Sequence, residues 1–159
     1  PMRIFQCMKT NLLLIILIAY SGCVLAQTVD LRQKHFNTRK LVAMEGYDPV
    51  SYHEGKPVKG SEKFQLQHQG VIYRFSSNAN LNKFKTNPEK YEPAYGGWCA
   101  FAMGETGEKV KIDPETFKIL DGKLYLFYNF WGNNTLEGWN EAEKKLKEAA
   151  DRNWKKAIL

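Results

Sequence analysis

Asp121-Gly122 lies between two runs in which large apolar and polar side chains alternate, and this pair narrows the possible folds more than any other feature. An Asp-Gly pair favours a two-residue hairpin turn with positive φ at both positions, and such a turn fixes the register of its strands. With those residues as the loop, Ile119 faces Leu124 and Phe117 faces Leu126 on one side, while Lys118 faces Tyr125 on the other. A second hairpin is predicted over Glu62–Ser76 around Gln69-Gly70, pairing His68 with Val71, Leu66 with Tyr73 and Phe64 with Phe75. A slip of one residue would turn these side chains to the wrong face, so both registers are strongly specified. His68 then falls on the buried face at the hairpin tip, within reach of water.

The remaining elements follow from caps and spacing. Glu45-Gly46-Tyr47-Asp48-Pro49 reads as a turn, followed by a short strand from Val50 to His53 and a Gly55-Lys56-Pro57 loop. Ser77 is placed to cap a helix whose apolar side carries Leu81 and Phe84, and Asn87-Pro88-Glu89 starts a further helical turn leading to Tyr91. Asn134 or Thr135 caps a long helix that turns Leu136, Trp139, Leu146, Ala149 and Ala150 inward. Its outer face offers Glu141/Lys145, Glu143/Lys147 and Glu148/Arg152 as i,i+4 pairs. The expected fold is α+β: a small antiparallel sheet built from two hairpins, packed with short helices and a long C-terminal helix.

Residues 1–26 read as a signal peptide with an upstream extension before Met8. Lys9 precedes an apolar run from Leu12 to Ala19, and Val24-Leu25-Ala26 places small side chains before Gln27. That run is far shorter than the roughly 20 residues of a spanning helix. Ser21-Gly22-Cys23 offers an alternative, lipidation of Cys23, although Tyr20 stands where a lipobox usually has leucine. Either route places the folded part outside the cytoplasm, periplasmic or extracellular, and a membrane is a partner only if Cys23 is lipidated. Residues 27–43 are polar, a tail or first short helix, and residues 44–159 form the domain.

Cleavage after Ala26 leaves 133 of the 159 residues, enough for one core, and lowers the formal charge from +6 to +4 by removing Arg3 and Lys9. The basic residues are scattered, so nucleic acid is not an expected partner. Cys7 and Cys23 are lost, and Cys99 remains without a disulfide partner.

Three stretches resemble the YHS domain family: Gly46-Tyr47-Asp48-Pro49-Val50, then Tyr73-Arg74-Phe75-Ser76-Ser77 with Phe84 and Asn87-Pro88-Glu89-Lys90-Tyr91, then Tyr95-Gly96-Gly97-Trp98-Cys99-Ala100. The last, with Asp121–Leu126 and Asn153-Trp154, is similar to the family's exported single-domain branch, and the resemblance runs over roughly residues 43–156. It implies a small α+β module, often considered metal-binding because some members sit beside heavy-metal transport machinery. Metal-type members carry cysteine after Asp-Pro-Val and inside Tyr-x-Phe-Cys-Ser; here Ser51 and Ser76 stand there, and hydroxyls are poor ligands for a soft metal.

A replacement metal site would use Cys99 and Met103, four residues apart and on one face of either a helix or a strand, with the imidazole of His53. Thiolate, thioether and imidazole together suit copper(I). The same Cys99–Met103 run also reads as plain core, and His53, His68 and His35 have structural readings as hydrogen-bonded or solvated side chains. No HxxxH or CxxC spacing supports zinc. Enzyme signatures are absent from the sequence: Met103-Gly104-Glu105-Thr106-Gly107 lacks the Lys-Ser/Thr ending of a phosphate loop, and nothing positions a third group for a Cys99–histidine nucleophile. Tyr91, Tyr95, Trp98 and Phe101 around Gly96-Gly97 form an aromatic patch suited to a small molecule, a glycan or a protein. The sequence therefore points to a binding module rather than an enzyme, with a soft metal ion such as copper as leading ligand. The alternatives are a metal-free module using the aromatic patch and a redox role for the Cys99 thiol.

Overall fold

The computed structural model describes residues 27–159. Signal cleavage after Ala26, the upstream extension and lipidation at Cys23 lie outside these residues. Residues 27–35 form helix α1. Strands β1 (Thr38–Arg39), β2 (Val42–Ala43), β3 (Ser61–His68) and β4 (Val71–Phe75) make a sheet in the order β1-β2-β4-β3, with β2 and β4 parallel and the other neighbours antiparallel. The polar stretch 27–43 thus contributes a helix and two strands, and the sheet begins ahead of residue 44. Along β4 the side chains of Val71, Tyr73 and Phe75 are buried, which leaves Ile72 and Arg74 on the opposite face.

The first hairpin keeps the expected pairs His68–Val71 and Leu66–Tyr73. Phe64 does not face Phe75: the register shifts, so that Ser61 pairs with Phe75 and Gln65 with Arg74. The cause is a bulge, in which extra residues on β3 oppose a short length of β4 and re-aim the bulged side chains. The expected strand Val50–His53 is also corrected, to a 3-10 turn at Ser51–Glu54. Asp48 dictates it, because its Oδ1 accepts the Val50 N–H at 2.9 Å and its carbonyl accepts the Ser51 N–H at 3.2 Å. Those bonds curl the chain after Pro49 instead of extending it.

Helix α2 (Asn78–Thr86) starts at Ser77, whose hydroxyl accepts the Asn80 N–H at 3.1 Å. Helix α3 (Pro88–Tyr91) starts at Asn87, and a 3-10 turn at Ala94–Gly97 leads into α4 (Ala100–Glu105). Strands β5 (Asp113–Leu120) and β6 (Lys123–Phe127) adopt all three predicted pairs across Asp121-Gly122, both at positive φ. The α+β expectation holds, with the two hairpins placed in separate sheets. After a small hairpin of β7 (Asn129–Phe130) and β8 (Asn133–Asn134), Asn134 caps α5 (Thr135–Glu141), and α6 (Glu143–Ala157) closes the fold.

The single helix expected after Asn134 is therefore two, broken at Ala142, where φ is −138°. Trp139, Leu146 and Ala150 are buried as expected. None of the three expected i,i+4 pairs forms among the described residues; Lys147 pairs with Asp151 at 2.8 Å, and Glu143 pairs with Lys118.

Two apolar clusters make up the interior. Tyr52, Tyr73, Phe75, Phe84, Tyr91 and Cys99 belong to the first, and Ala100, Met103, Trp139 and Leu146 to the second. Strand β6 is the wall between them: Leu124 and Leu126 enter the first, Tyr125 and Phe127 the second. Gly104 lets α4 meet α6, since a Cβ there would come within 2.6 Å of the Leu146 carbonyl oxygen.

Candidate functional site

The feature that sequence reasoning missed is a hub of hydrogen bonds around Asp48. This carboxylate is fully buried and forms no ion pair among the described residues. Oδ1 accepts the Val50 N–H, and Oδ2 accepts the Ser76 N–H at 2.9 Å, the Ser76 hydroxyl at 2.7 Å and the Asn80 side-chain amide at 2.8 Å. The Ser51 hydroxyl donates to the Asp48 carbonyl at 2.7 Å and accepts the Val58 N–H at 3.0 Å. A buried charge needs such a set of donors to be tolerable. The hub ties the turn after Pro49, the end of β4 and the first turn of α2 into one unit. Its signal in the sequence is an Asp-Pro pair together with small polar residues at 51, 76 and 80.

Cys99 is fully buried at the start of α4. Its sulfur accepts the Tyr128 N–H at 3.4 Å and lies 3.5 Å from the Thr135 hydroxyl oxygen. Thr135 gives its own proton to the Tyr128 carbonyl at 2.9 Å, so the thiol is the donor toward Thr135. Both hydrogen-bonding capacities of the sulfur are therefore in use. A redox role would require an accessible thiolate, which is a different environment. Met103 lies within α4 while Cys99 is the non-helical residue that precedes it, so the shared face expected of a helix or a strand is not formed, and the Met103 side chain packs in the other cluster.

His53 lies edge-on to Tyr91, with ring centres 5.1 Å apart, and its Nε2 is buried without a hydrogen-bond partner among the described residues. Burial, then the ammonium groups of Lys90 and Lys123, hold its pKa below the ordinary imidazole value, so the ring is neutral at pH 7. His68 packs edge-on against Phe84, and Nδ1 of His35 meets the Lys109 ammonium at 2.8 Å.

The aromatic patch is dispersed by the fold. Tyr91 enters the first cluster and Tyr95 the second, while the Trp98 indole donates to the His35 carbonyl at 2.7 Å and Phe101 lies over Gly138. Of the four rings only Tyr95 borders a described cavity, of about 360 Å³, beside Lys123, Asp151 and Trp154. Its polar groups are already matched internally: the Tyr95 hydroxyl donates to Asp151 at 2.9 Å, and Glu92 takes Arg32 and the Tyr73 hydroxyl. Burial and Asp151 together drive the Tyr95 phenol pKa far above its usual value.

A small α+β module with two cores, laced at one end by a buried carboxylate, is the class these features define. Residues 48–95 match the YHS domain family model, so this part of the chain is a YHS domain. The match spans 48 of the 159 residues and takes in Asp48, Ser51, Ser76 and Asn80, the whole of the hub. No curated protein and no solved structure matches the chain.

The residues present do not fit the soft metal ion that this family suggests. Ser51 and Ser76 spend their hydroxyls inside the hub, and the Cys99 sulfur is saturated by Tyr128 and Thr135. Met103 turns into the other core, and two ammonium groups beside His53 oppose a cation. Among the described residues no group of three or more His, Cys, Asp or Glu side chains is arranged to hold a metal.

Proposed function

We propose that the chain is an exported YHS-type module that binds its ligand without a metal ion and performs no chemistry on it. The observation that carries this reading is the state of the Asp48 hub. At both positions where metal-type members offer a thiolate, this chain offers a hydroxyl committed to the buried carboxylate unit. Export is supported by the signal-like pattern of residues 1–26 and by a remainder with a single cysteine, suited to an oxidising compartment. Among the described residues the Cys99 sulfur hydrogen-bonds Tyr128 and Thr135 rather than a general base, which supports binding over catalysis.

The test is a competition for copper(I) against a chromophoric chelator, using reduced protein and the Cys99→Ser variant. Neither protein is expected to withdraw copper from the chelator. Stoichiometric withdrawal by the wild type that disappears in Cys99→Ser would overturn the metal-free reading. Mass spectrometry of the N-terminus of the exported protein distinguishes Gln27 from an acylated Cys23.

A further inference from the structure

The outer face of the four-stranded sheet carries a groove of about 700 Å³, on the side opposite the first core. Val42 and Ile72, paired directly across β2 and β4, give it an apolar lining. Arg39, Lys40, Lys59 and Arg74 border it, against the carboxylates of Glu45 and Glu62. The lining therefore carries four cations against two carboxylates. Glu45 engages Lys59 through its backbone carbonyl at 2.7 Å, and Arg39 and Lys40 are exposed with no ion pair among the described residues.

Arg74 is the decisive residue. Its Nη2 donates to Glu62 Oε1 at 2.6 Å, yet its Nε is buried and has no hydrogen-bond partner among the described residues. A buried donor on a charged group is rarely left unmatched. The Nε–H and one Nη–H of a guanidinium form a planar fork that fits two oxygens of a carboxylate or phosphate. Here one prong of the fork is held, and the other is covered but unmatched among the described residues. Glu62 holds the first from an exposed position, with its side chain 76% accessible, on the bulged part of β3. An exposed pair of this kind is weak and readily exchanged.

We propose that this groove binds a small organic oxyanion, a carboxylate or phosphate group seated on the guanidinium edge of Arg74, with Glu62 as the internal stand-in that the ligand displaces. Arg39 and Lys40 lie on the opposite strand pair and add long-range attraction, while Val42 and Ile72 receive the apolar part of the ligand. This site deepens the metal-free reading and rests on its premise that the chain works by binding. It also accounts for the bulge, which turns Glu62 toward Arg74 at the cost of the regular Phe64–Phe75 pair.

The experiment follows the Nε–Hε resonance of Arg74 by NMR in the isotope-labelled intact chain, titrated with inorganic phosphate and separately with succinate. At least one anion is expected to shift that resonance saturably. Arg74→Lys, which keeps the charge and removes the fork, is followed through the backbone amide resonances of Val42 and Ile72 in the same groove and is expected to weaken binding by about tenfold. Glu62→Gln, at an exposed position that leaves folding intact, is expected to strengthen it by about threefold through loss of the competitor. No saturable shift with either anion, or weaker binding in Glu62→Gln, overturns the proposal. A response to phosphate alone or to succinate alone assigns the ligand's head group and supports it. Silence here leaves the copper result unaffected, and copper binding with an intact anion response overturns only the metal-free reading.

Discussion

Replacing Asp48 by alanine removes the acceptor for four hydrogen bonds at once. Two of the stranded donors, the Val50 N–H and the Asn80 amide, are buried, whereas those of Ser76 are partly open to water. A buried donor left without a partner costs roughly 1–3 kcal/mol, so the two together give about 4 kcal/mol of destabilisation. With a urea slope of about 2 kcal/mol per molar, the unfolding midpoint moves down by about 2 M. Asp48→Asn separates charge from shape. Its carbonyl oxygen can keep the three donors on the Oδ2 side, but its amide then faces the Val50 N–H, one donor against another. Relief of the buried charge offsets part of that clash, and a loss of about 1–2 kcal/mol is expected. The assay is equilibrium urea unfolding of wild type, both variants, Ser76→Ala and the Asp48→Ala/Ser76→Ala pair. Strong coupling between Asp48 and Ser76 is required, so the double variant should lose clearly less than the sum of the singles. A midpoint shift under about 0.5 M for Asp48→Ala, or strict additivity with Ser76→Ala, would refute the claim that the carboxylate organises this end of the domain.

Two other outcomes follow from burial. Cys99 is expected to resist a thiol reagent in native buffer and to react promptly in denaturant, because its sulfur is fully covered and hydrogen-bonded; stoichiometric labelling of the native protein would show that the start of α4 opens. Burial, the largest cause in each case, raises the phenol pKa values of Tyr52, Tyr73 and Tyr95 above their ordinary value. Each folded phenol keeps a proton that the unfolded chain releases above about pH 10, so their stabilisation is complete below that pH and declines as the pH rises beyond it. Urea midpoints measured from pH 8 upward should fall above pH 10 in step with the loss of folded signal, and ultraviolet titration should count fewer tyrosinates than the eight tyrosines until unfolding. Ionisation of all eight in one step within the folded state would contradict this packing.

How far the fold was legible depended on whether the determining interaction was local. Asp121-Gly122 sets the second hairpin within a few residues, and all three expected pairs across it are present. The first hairpin was readable only as far as Gln65, because the register shift between Ser61 and Gln65 is a feature of the pairing with β4 that no alternation pattern reports. Val50–His53 looked extended because Val and Tyr favour strands, yet the side chain of Asp48 overrode them with a turn. The break at Ala142 has neither proline nor glycine to announce it. The site was less legible for the same reason: Cys99 caps the helix that carries Met103, but β6 divides the interior, and sequence spacing says nothing about which core each side chain enters.

That division explains why a family match confined to residues 48–95 belongs to a larger folding unit. The matched segment supplies the hub, one hairpin, α2 and α3, and one side of the first core, including Tyr52, Phe75 and Phe84. It does not supply the other side. Ala43 and Met44 enter from the stretch before it, and Cys99, Ile112, Leu124 and Leu126 from the stretch after it. Without them large aromatic faces would be open to water, so the segment depends on β2 and β6 for closure. Strand β6 is itself buried on both faces, and its Tyr125 and Phe127 need Trp139 and α6 in turn. Cys99 stands at this junction, bridging to Leu126 while its sulfur takes the Tyr128 N–H just past the end of β6. A thiol in that position is a joint between the segment that matches the family model and the elements that close it, which gives the one cysteine among the described residues a structural role.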